Sequence, residues 1–210
     1  MKQFSNESII WIMDALRLYP EHRERLLECF WRGQIESKEW LIRKLNQNLP
    51  NPTIAHNVYI FGGWYGVFAS MLIDSSNFYI NKIRSIDIDP GCEVVADHVN
   101  KINEMNDWRF KAFTSDMATW TYDHTPTLVI NTSTEHVHQE IYDAWYNNIP
   151  SGTTVVIQGN DFFSCPEHVR CSINLEDFIA KSNMTNIIWA GELKADEGSG
   201  YTRYMAIGIK

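Results

Sequence analysis

The 210-residue sequence has no long hydrophobic run, and this absence argues against a membrane protein. No apolar stretch approaches the ~20 residues that a helix needs to span a bilayer. The first ten residues, MKQFSNESII, lack the basic start, the long apolar stretch and the small-residue cleavage site of a secretory signal. We therefore expect a soluble, cytoplasmic protein with no membrane partner.

Cysteine is scarce and positive charge is in deficit. The four cysteines contain no C-x-x-C pair, so in a cytosolic chain they are expected to be reduced thiols. The formal net charge is −8, from 26 acidic and 18 basic residues. Because nucleic-acid phosphates attract Lys and Arg, this charge argues against a nucleic-acid partner. Apolar residues make up 44% of the chain, and eight of the residues are tryptophan, so a folded core is expected.

The first fifty residues carry helical signals. The expected helices are one capped by Ser5 and ending near Tyr19, one over residues 21–32 and one over residues 37–47. The two prolines of NLPNP then end the helical pattern. So short a segment has little core of its own, and we therefore expect residues 1–50 to form a helical cap on the unit made by residues 51–210.

From His56 onward the pattern changes to alternating strands and helices. The expected strands are residues 57–61, 83–88, 109–113, 127–131, 153–158, 186–190 and 201–209, and the expected helices are 64–73, 91–105, 135–148 and 174–181. Such alternation predicts an α/β fold, a Rossmann-like, doubly wound, mostly parallel seven-stranded sheet. No helix separates the last two strands, so they are expected to form an antiparallel C-terminal edge hairpin. Ligands of such sheets bind at the carboxyl ends of the strands.

The glycine-rich stretch VYIFGGWYGVFASML does not match a phosphate-binding motif. Binding a dinucleotide requires G-x-G-x-x-G, but large side chains such as Trp64 and Tyr65 occupy the positions where the motif needs glycine. The chain also lacks the G-x-x-x-x-G-K-[ST] phosphate-binding loop of nucleoside triphosphatases. We therefore expect a nucleoside without a pyrophosphate at this turn, and no binding of NAD.

Residues after the next two strands are typical of a nucleoside site. Asp87 follows Gly66 by 21 residues, where a carboxylate can accept hydrogen bonds from both ribose hydroxyls. Ile88 offers an apolar surface to the adenine face. Asp116 can accept a hydrogen bond from the adenine amino group, with Met117 packed alongside.

Four motifs, FGGWYG, SIDIDP, TSDMATW and LVINTSTEH, resemble motifs I to IV of class I S-adenosylmethionine-dependent methyltransferases. The resemblance covers residues 58–210 and implies methyltransferase activity with S-adenosyl-L-methionine as cofactor. By this resemblance the cofactor-binding residues are Gly62, Gly63, Trp64, Gly66, Asp87, Ile88, Asp116 and Met117. Gly62 and Gly66 match family glycines, Asp87 the ribose acid and Ile88 the adenine contact.

The sequence departs from the family pattern at two positions. Ile60 stands where an acidic residue commonly ends the first strand, and Trp64 replaces the middle glycine. One hypothesis gives Trp64 a cation–π contact with the amino group or the sulfonium of the cofactor. The alternative is that Trp64 packs under the N-terminal helices, and packing is the favoured interpretation for Tyr65.

The segment NTSTEHVH follows the fourth strand, where this family holds the methyl acceptor. Asn131, Glu135 and His136 are therefore the candidate catalytic residues. His136 has a suitable intrinsic pKa for a general base, with Glu135 or nearby backbone orienting its ring. Alternatively, Glu135 is a charge favoured at a helix N-terminus and His136 is a polar helix residue. The segment lacks [DNS]-P-P-[YFW], which holds a base amine in many nucleic-acid methyltransferases, so a small-molecule acceptor is favoured.

A second polar segment, QGNDFFSCPEHVRC, follows the fifth strand. Its polar side chains are expected to approach Glu135 and His136 above the sheet; they are Gln158, Asn160, Asp161, Glu167 and His168. The spacing Cys165-x-x-His168-x-x-Cys171 lacks a fourth ligand, so no metal site is assigned. A metal at these strand ends, if one were bound, would be expected to have oxygen ligands and to resemble Mg²⁺.

Three functions are compatible with the sequence. The first is methyl transfer to a small or medium-sized acceptor, beneath a lid of N-terminal helices. The second is another reaction of S-adenosylmethionine: cleavage, cyclisation or transfer of its aminocarboxypropyl arm. The third is a non-catalytic binding module whose interface includes Trp11, Phe30, Trp31 and Trp40. No motif identifies the acceptor or the oligomeric state.

Overall fold

The computed structural model describes residues 4–105, 108–194 and 200–210, which form one mixed sheet flanked by helices. The strands are β1 (His56–Phe61), β2 (Ile80–Asp87), β3 (Phe110–Thr114), β4 (Leu128–Asn131), β5 (Thr154–Asn160), β6 (Asn186–Lys194) and β7 (Thr202–Ile209). The α-helices are α1 (Asn6–Leu18), α2 (Arg23–Glu28), α3 (Arg32–Asn48), α4 (Val67–Ser75), α5 (Pro90–Val99), α6 (Lys101–Met105), α7 (Gln139–Asn148) and α8 (Leu175–Lys181). Within these ranges, no helix has both the length and the apolarity needed to cross a membrane.

The sheet has the order β3-β2-β1-β4-β5-β7-β6, and its first five strands run parallel. Strand β7 pairs antiparallel with both β5 and β6. The structure therefore confirms the predicted Rossmann-like, mostly parallel sheet and its antiparallel edge hairpin. The centre of the connection between β6 and β7, residues 195–199, lies outside the described residues.

Helices cover both faces of the sheet, because successive residues of a strand point to opposite sides. Val58 and Ile60 of β1 belong to one hydrophobic cluster, together with residues of α1 to α5. Tyr59 and Phe61 belong to a second cluster, which includes Trp145 of α7. Coverage of both faces explains why the central strands β1, β4 and β5 are buried along almost their whole length.

Three predicted helices differ from the observed ones in their boundaries. The helix predicted over residues 64–73 begins only at Val67, because Gly66 precedes it in the left-handed conformation, at φ 72°. The helix predicted over 91–105 ends at Val99, and Asn100 uses its amide to bond the carbonyls of Gly66 and Ala96. The helix predicted over 135–148 is interrupted: a 3₁₀ helix over Thr134–His136 precedes α7.

The N-terminal helices pack on the sheet domain and share its core. Ser5 caps α1 by accepting a hydrogen bond from the Ser8 N–H at 3.1 Å, as predicted. The second predicted helix is shorter than expected, because a 3₁₀ turn over Pro20–His22 comes before α2. Buried residues of α1, α2 and α3 belong to the cluster that contains Val58. The division of the chain at residue 50 stays a prediction.

The four aromatic residues considered for an interface differ in their environment. Trp40 is buried and meets Trp189 edge-on, with 5.8 Å between ring centroids. Trp11 packs against His98 and Phe30 against Phe4, and both are half-buried. Trp31 is 65% exposed. These residues therefore do not form one exposed aromatic surface.

Candidate functional site

A cavity of about 830 Å³ lies at the carboxyl ends of β1, β2 and β4. Helices α2 and α3 supply a further part of its wall, through residues such as Arg25 and Lys38. All but one of the site residues predicted from the sequence line it: Gly62, Gly63, Trp64, Asp87, Ile88, Asp116, Met117, Asn131, Glu135 and His136. The cavity therefore lies where ligands bind in open α/β sheets.

The turn after β1 brings bare backbone to the cavity wall. Gly62 has φ 64°, and a Cβ atom there would collide with the Ser133 hydroxyl. Gly66, the exception among the predicted residues, packs against α5: a Cβ atom there would lie 2.6 Å from Asn100 Nδ2. Gly66 thus fixes the start of α4 and its packing, while Gly62 is in the wall itself.

Trp64 adopts a backbone conformation that is rare for a large side chain. Its φ is 49°, in the left-handed region that favours glycine. The half-buried indole stacks on Tyr65, with 5.6 Å between ring centroids. Tyr65 is fully buried, and its hydroxyl is 3.1 Å from His22 Nδ1. Tyr65 is thus a packing residue beneath the N-terminal helices, and Trp64 lies between that packing and the cavity.

Asp87 connects the glycine turn to the end of β2. Its Oδ2 accepts a hydrogen bond from the Trp64 backbone N–H at 2.8 Å, and its Oδ1 accepts one from the Asp89 N–H at 3.0 Å. Each carboxylate oxygen has a second lone pair, so the group can still accept hydrogen bonds from a ligand. Ile88, beside it, is 73% exposed and presents an apolar surface to the cavity.

The segments after β3 and β4 meet at the next part of the wall. Asp116 Oδ1 accepts a hydrogen bond from the Ala118 N–H at 2.9 Å and so caps the 3₁₀ turn that contains Met117. The amide nitrogen of buried Asn131 lies 3.8 Å from Met117 Sδ. Its amide oxygen accepts a hydrogen bond from the Ser133 N–H at 3.0 Å. Asn131 thus orders the loop that leads to Glu135.

Glu135 is a buried carboxylate with two partners on one oxygen. Oε1 accepts hydrogen bonds from Asn160 Nδ2 at 2.7 Å and from Arg203 Nη1 at 3.3 Å. Among the described residues, Oε2 has no hydrogen-bond partner, although it is buried. The partners of the carboxylate among the described residues are therefore Asn160 and Arg203 and not the His136 ring, whose orientation by nearby backbone stays a prediction.

His136 and His168 meet beside Glu135. Their ring centroids are 4.6 Å apart in an edge-to-face arrangement. His136 is exposed; burial, the largest contribution, lowers the pKa of His168 below its usual value. Of the polar segment after β5, Asn160, Glu167 and His168 join the site. Gln158 instead bonds the Ser37 carbonyl, and Asp161 bonds the Thr202 N–H.

Lys38 and Arg203 line the cavity and were not predicted from the sequence. Burial lowers the pKa of Lys38 to about 7, and the charge of Arg203 acts in the same direction. One signal was available: Lys38 lies two residues before the apolar run Trp40–Ile42, and Arg203 interrupts the apolar β7. A charged residue at such a position often points into a polar cavity, because burial of an unpaired charge is costly.

Comparison with known proteins gives structural matches and no sequence match. No family model matches the sequence, and neither does any curated protein. The structure is similar to the N-methyltransferase NodS from Bradyrhizobium japonicum WM9, with a TM-score of 0.64 and 12% identity. That match covers 87% of this chain and 98% of NodS.

Two further structures contain a bound nucleoside. Geranyl diphosphate methyltransferase, solved with S-adenosylmethionine, matches with a TM-score of 0.62 and 9% identity over 90% of each chain. Magnesium protoporphyrin IX methyltransferase from Synechocystis PCC 6803, with bound S-adenosylhomocysteine, matches with a TM-score of 0.59 and 14% identity over 82% of each chain. This chain therefore has the fold of class I S-adenosylmethionine-dependent methyltransferases, and the resemblance found in its sequence is confirmed at that level.

Proposed function

We propose that the protein is an S-adenosylmethionine-dependent methyltransferase that acts on a small or medium-sized acceptor. The observation that carries this proposal is the position of Asp87, which lines the cavity at the end of β2 and directly contacts the glycine turn. The volume of about 830 Å³ is in the range of small-molecule sites, and Gly62 leaves room beside Ser133. When bound, S-adenosylmethionine supplies a methyl group activated by a sulfonium.

The first three strand ends supply the groups for the nucleoside. Asp87 would accept hydrogen bonds from the ribose hydroxyls, and Ile88 would lie against the adenine face. Asp116 would accept a hydrogen bond from the adenine amino group, with Met117 beside the ring. Gly62, Gly63 and Trp64 would contact the methionine end, whereas Gly66 would act through the start of α4.

The loops after β4 and β5 would hold the acceptor. Asn131, Glu135 and His136 line the same cavity as the proposed nucleoside contacts, and we assign them to the acceptor. In methyl transfer most of the catalysis can come from positioning, and a base is needed only if the acceptor arrives protonated. Two neighbours are named for geranyl diphosphate and magnesium protoporphyrin IX, which supports a small acceptor here as well.

A thermal-shift titration tests the cofactor. We expect S-adenosylmethionine and S-adenosylhomocysteine to raise the melting temperature and NAD to leave it unchanged. Large side chains in the glycine turn keep a pyrophosphate from approaching the backbone closely. Stabilisation by NAD alone would refute the proposal.

Product analysis then identifies the reaction. S-adenosylhomocysteine indicates methyl transfer, whereas methylthioadenosine indicates attack on the other arm of the cofactor. One observation favours formation of methylthioadenosine: Trp64 replaces glycine at the methionine end of the proposed site. Substitution of Asn131 or His136 should lower turnover and leave cofactor affinity nearly intact, since both lie on the acceptor side.

A further inference from the structure

Three side chains from two loops converge at the acceptor side of the cavity. Glu135 and His136 follow β4, and His168 lies in the loop after β5. Each offers one ligand atom, and these three atoms all lie within 4.8 Å of one another. We propose that Glu135, His136 and His168 form a binding site for a first-row divalent transition-metal ion such as Zn²⁺.

Glu135 provides a carboxylate oxygen that otherwise lacks a partner. The residue is 3% exposed, and its Oε2 has no hydrogen-bond partner among the described residues. A buried carboxylate oxygen without a partner loses its hydration free energy and gains nothing in return. Asn160 and Arg203 hold the other oxygen, Oε1, and so fix the carboxylate while leaving Oε2 free for an ion. The charge of Arg203 opposes a cation, and the carboxylate of Glu135 offsets it.

His168 keeps one ring nitrogen that is free to bind an ion. Its Nδ1 lies 3.0 Å from the carbonyl oxygen of Phe162. A carbonyl only accepts hydrogen bonds, so Nδ1 carries the proton and Nε2 keeps its lone pair for an ion. Metal-binding histidines are commonly oriented in this way, by donation of the other ring N–H to a backbone carbonyl.

The donor set indicates a transition metal. Two imidazoles and one carboxylate suit Zn²⁺ and related ions, whereas Mg²⁺ prefers oxygen ligands. The sequence assigns no metal site and predicts oxygen ligands only for the case that a metal is bound, so the two histidines change the expected ion. Tetrahedral ligands at about 2.1 Å from Zn²⁺ are about 3.4 Å apart. Because the three ligand atoms lie within 4.8 Å of one another, they must approach each other by up to about 1.4 Å. His136 is exposed and can rotate to do so.

Three protein ligands leave coordination positions for water or a ligand. Glu135 and His136 both line the cavity, so these positions are accessible from it. Only the next step rests on the proposed function. In it, an oxygen atom of the methyl acceptor would occupy one of the open coordination positions of the ion. The acceptor class would then be a molecule with a hydroxyl or carboxylate group near the methylated atom.

Metal titration of the chelator-treated, untagged protein tests the site without any activity assay. We expect the wild type to bind one Zn²⁺ by calorimetry and one Co²⁺ by its visible absorption. His136→Gln and His168→Gln should each weaken Zn²⁺ binding by at least about tenfold, because each removes a ligand. His138→Gln is the matched control, since His138 is exposed, two residues from His136 and outside the three-residue group. Its Zn²⁺ affinity should stay at the wild-type value.

Melting temperatures of all four proteins verify that each is folded. Failure of the wild type to bind Zn²⁺ or Co²⁺ would overturn the assignment, as would unchanged affinity in His136→Gln and His168→Gln. An equal loss in His138→Gln would overturn it too, because the ion would then not be held by this set. Affinity for S-adenosylhomocysteine, measured on the metal-free protein, tests the proposed function separately.

Discussion

At the scale of single residues, Asp87 has two roles that substitution can separate. It is the proposed ribose contact, and it accepts hydrogen bonds from backbone N–H groups of the glycine turn and of the β2 end. Asp87→Ala is expected to weaken cofactor binding by roughly 1.5–3 kcal/mol, the value of hydrogen bonds to a charged group. The alanine also removes the acceptors for the N–H groups of Trp64 and Asp89. Asp87→Asn keeps one oxygen for the turn and should lose less affinity. Unchanged affinity in a folded Asp87→Ala variant would contradict the ribose contact.

The ring of Trp64 can be assigned by comparing a charged ligand with a neutral one. If the ring faces the sulfonium, Trp64→Leu should weaken S-adenosylmethionine by about 0.5–2 kcal/mol and S-adenosylhomocysteine, which lacks that charge, by less. Trp64→Phe keeps a ring face and should lose less than Trp64→Leu. Equal losses of affinity for the two ligands would indicate that the ring contacts the amino group, which both ligands carry. Calorimetry that finds no loss in Trp64→Leu would leave packing on Tyr65 as its role.

At the scale of elements, the start of β1 contains a histidine that makes stability depend on pH. His56 is 2% exposed, and its Nε2 lies 2.9 Å from the Asn51 carbonyl. Burial lowers the pKa of His56, and the hydrogen bond to Asn51 offsets only part of the effect. The unfolded chain therefore binds the proton at a higher pH than the folded one. Hence the free energy of unfolding should fall as the pH drops below about 6.5.

Urea unfolding of wild type and His56→Leu at pH 7.5 and pH 5 measures this contribution. The wild type should lose more stability than His56→Leu over this interval, because leucine takes up no proton in either state. His138→Leu, at an exposed position, should keep the wild-type pH dependence. The same loss in wild type and His56→Leu would show that His56 does not contribute.

The sequence predicts the strands better than the helix ends. Strand β5 is buried at all seven positions, and its apolar run over residues 155–157 is enough to predict a strand there without knowledge of its neighbours. The end of α5 at Val99 depends on the bond from Asn100 to Gly66, 34 residues away. A local pattern contains no information about such a contact. The same limit explains why a single helix is predicted over residues 135–148, although Thr134, just before it, bonds the Gln158 carbonyl through its hydroxyl at 2.6 Å.

At the scale of the whole molecule, the two halves of the site differ in how far the sequence predicts them. The proposed nucleoside half comes from the ends of adjacent strands, and the spacing from Gly66 to Asp87 is enough to propose it. The proposed acceptor half joins Lys38 of α3, Glu135 after β4 and Arg203 of β7. The placement of β7 beside β5 brings Arg203 to Glu135, and the packing of α3 on the sheet adds Lys38. No local spacing relates these residues, so the sequence alone does not predict that they lie together.

The position of β7 also has a consequence for synthesis of the chain on the ribosome. Strand β5 is complete at Asn160, yet its antiparallel neighbour ends at Ile209. At about 5–20 residues per second, the interval between them lasts on the order of 2–10 seconds. During this interval the apolar edge of β5 that later pairs with β7 has no partner. Arg203 is also not yet present to donate its hydrogen bond to Glu135. An unpaired edge of this kind invites aggregation.

Ribosome-bound chains arrested at different lengths make this interval measurable. Chains in which β7 is still inside the exit tunnel should be cleaved rapidly by added protease, because the edge of β5 lacks its partner. Chains extended by a linker until β7 has emerged should resist cleavage as the released protein does. Equal resistance at both lengths would mean that the nascent sheet is stable without β7. On the expected outcome, the same strand that completes the sheet also ends the most vulnerable period of the nascent chain.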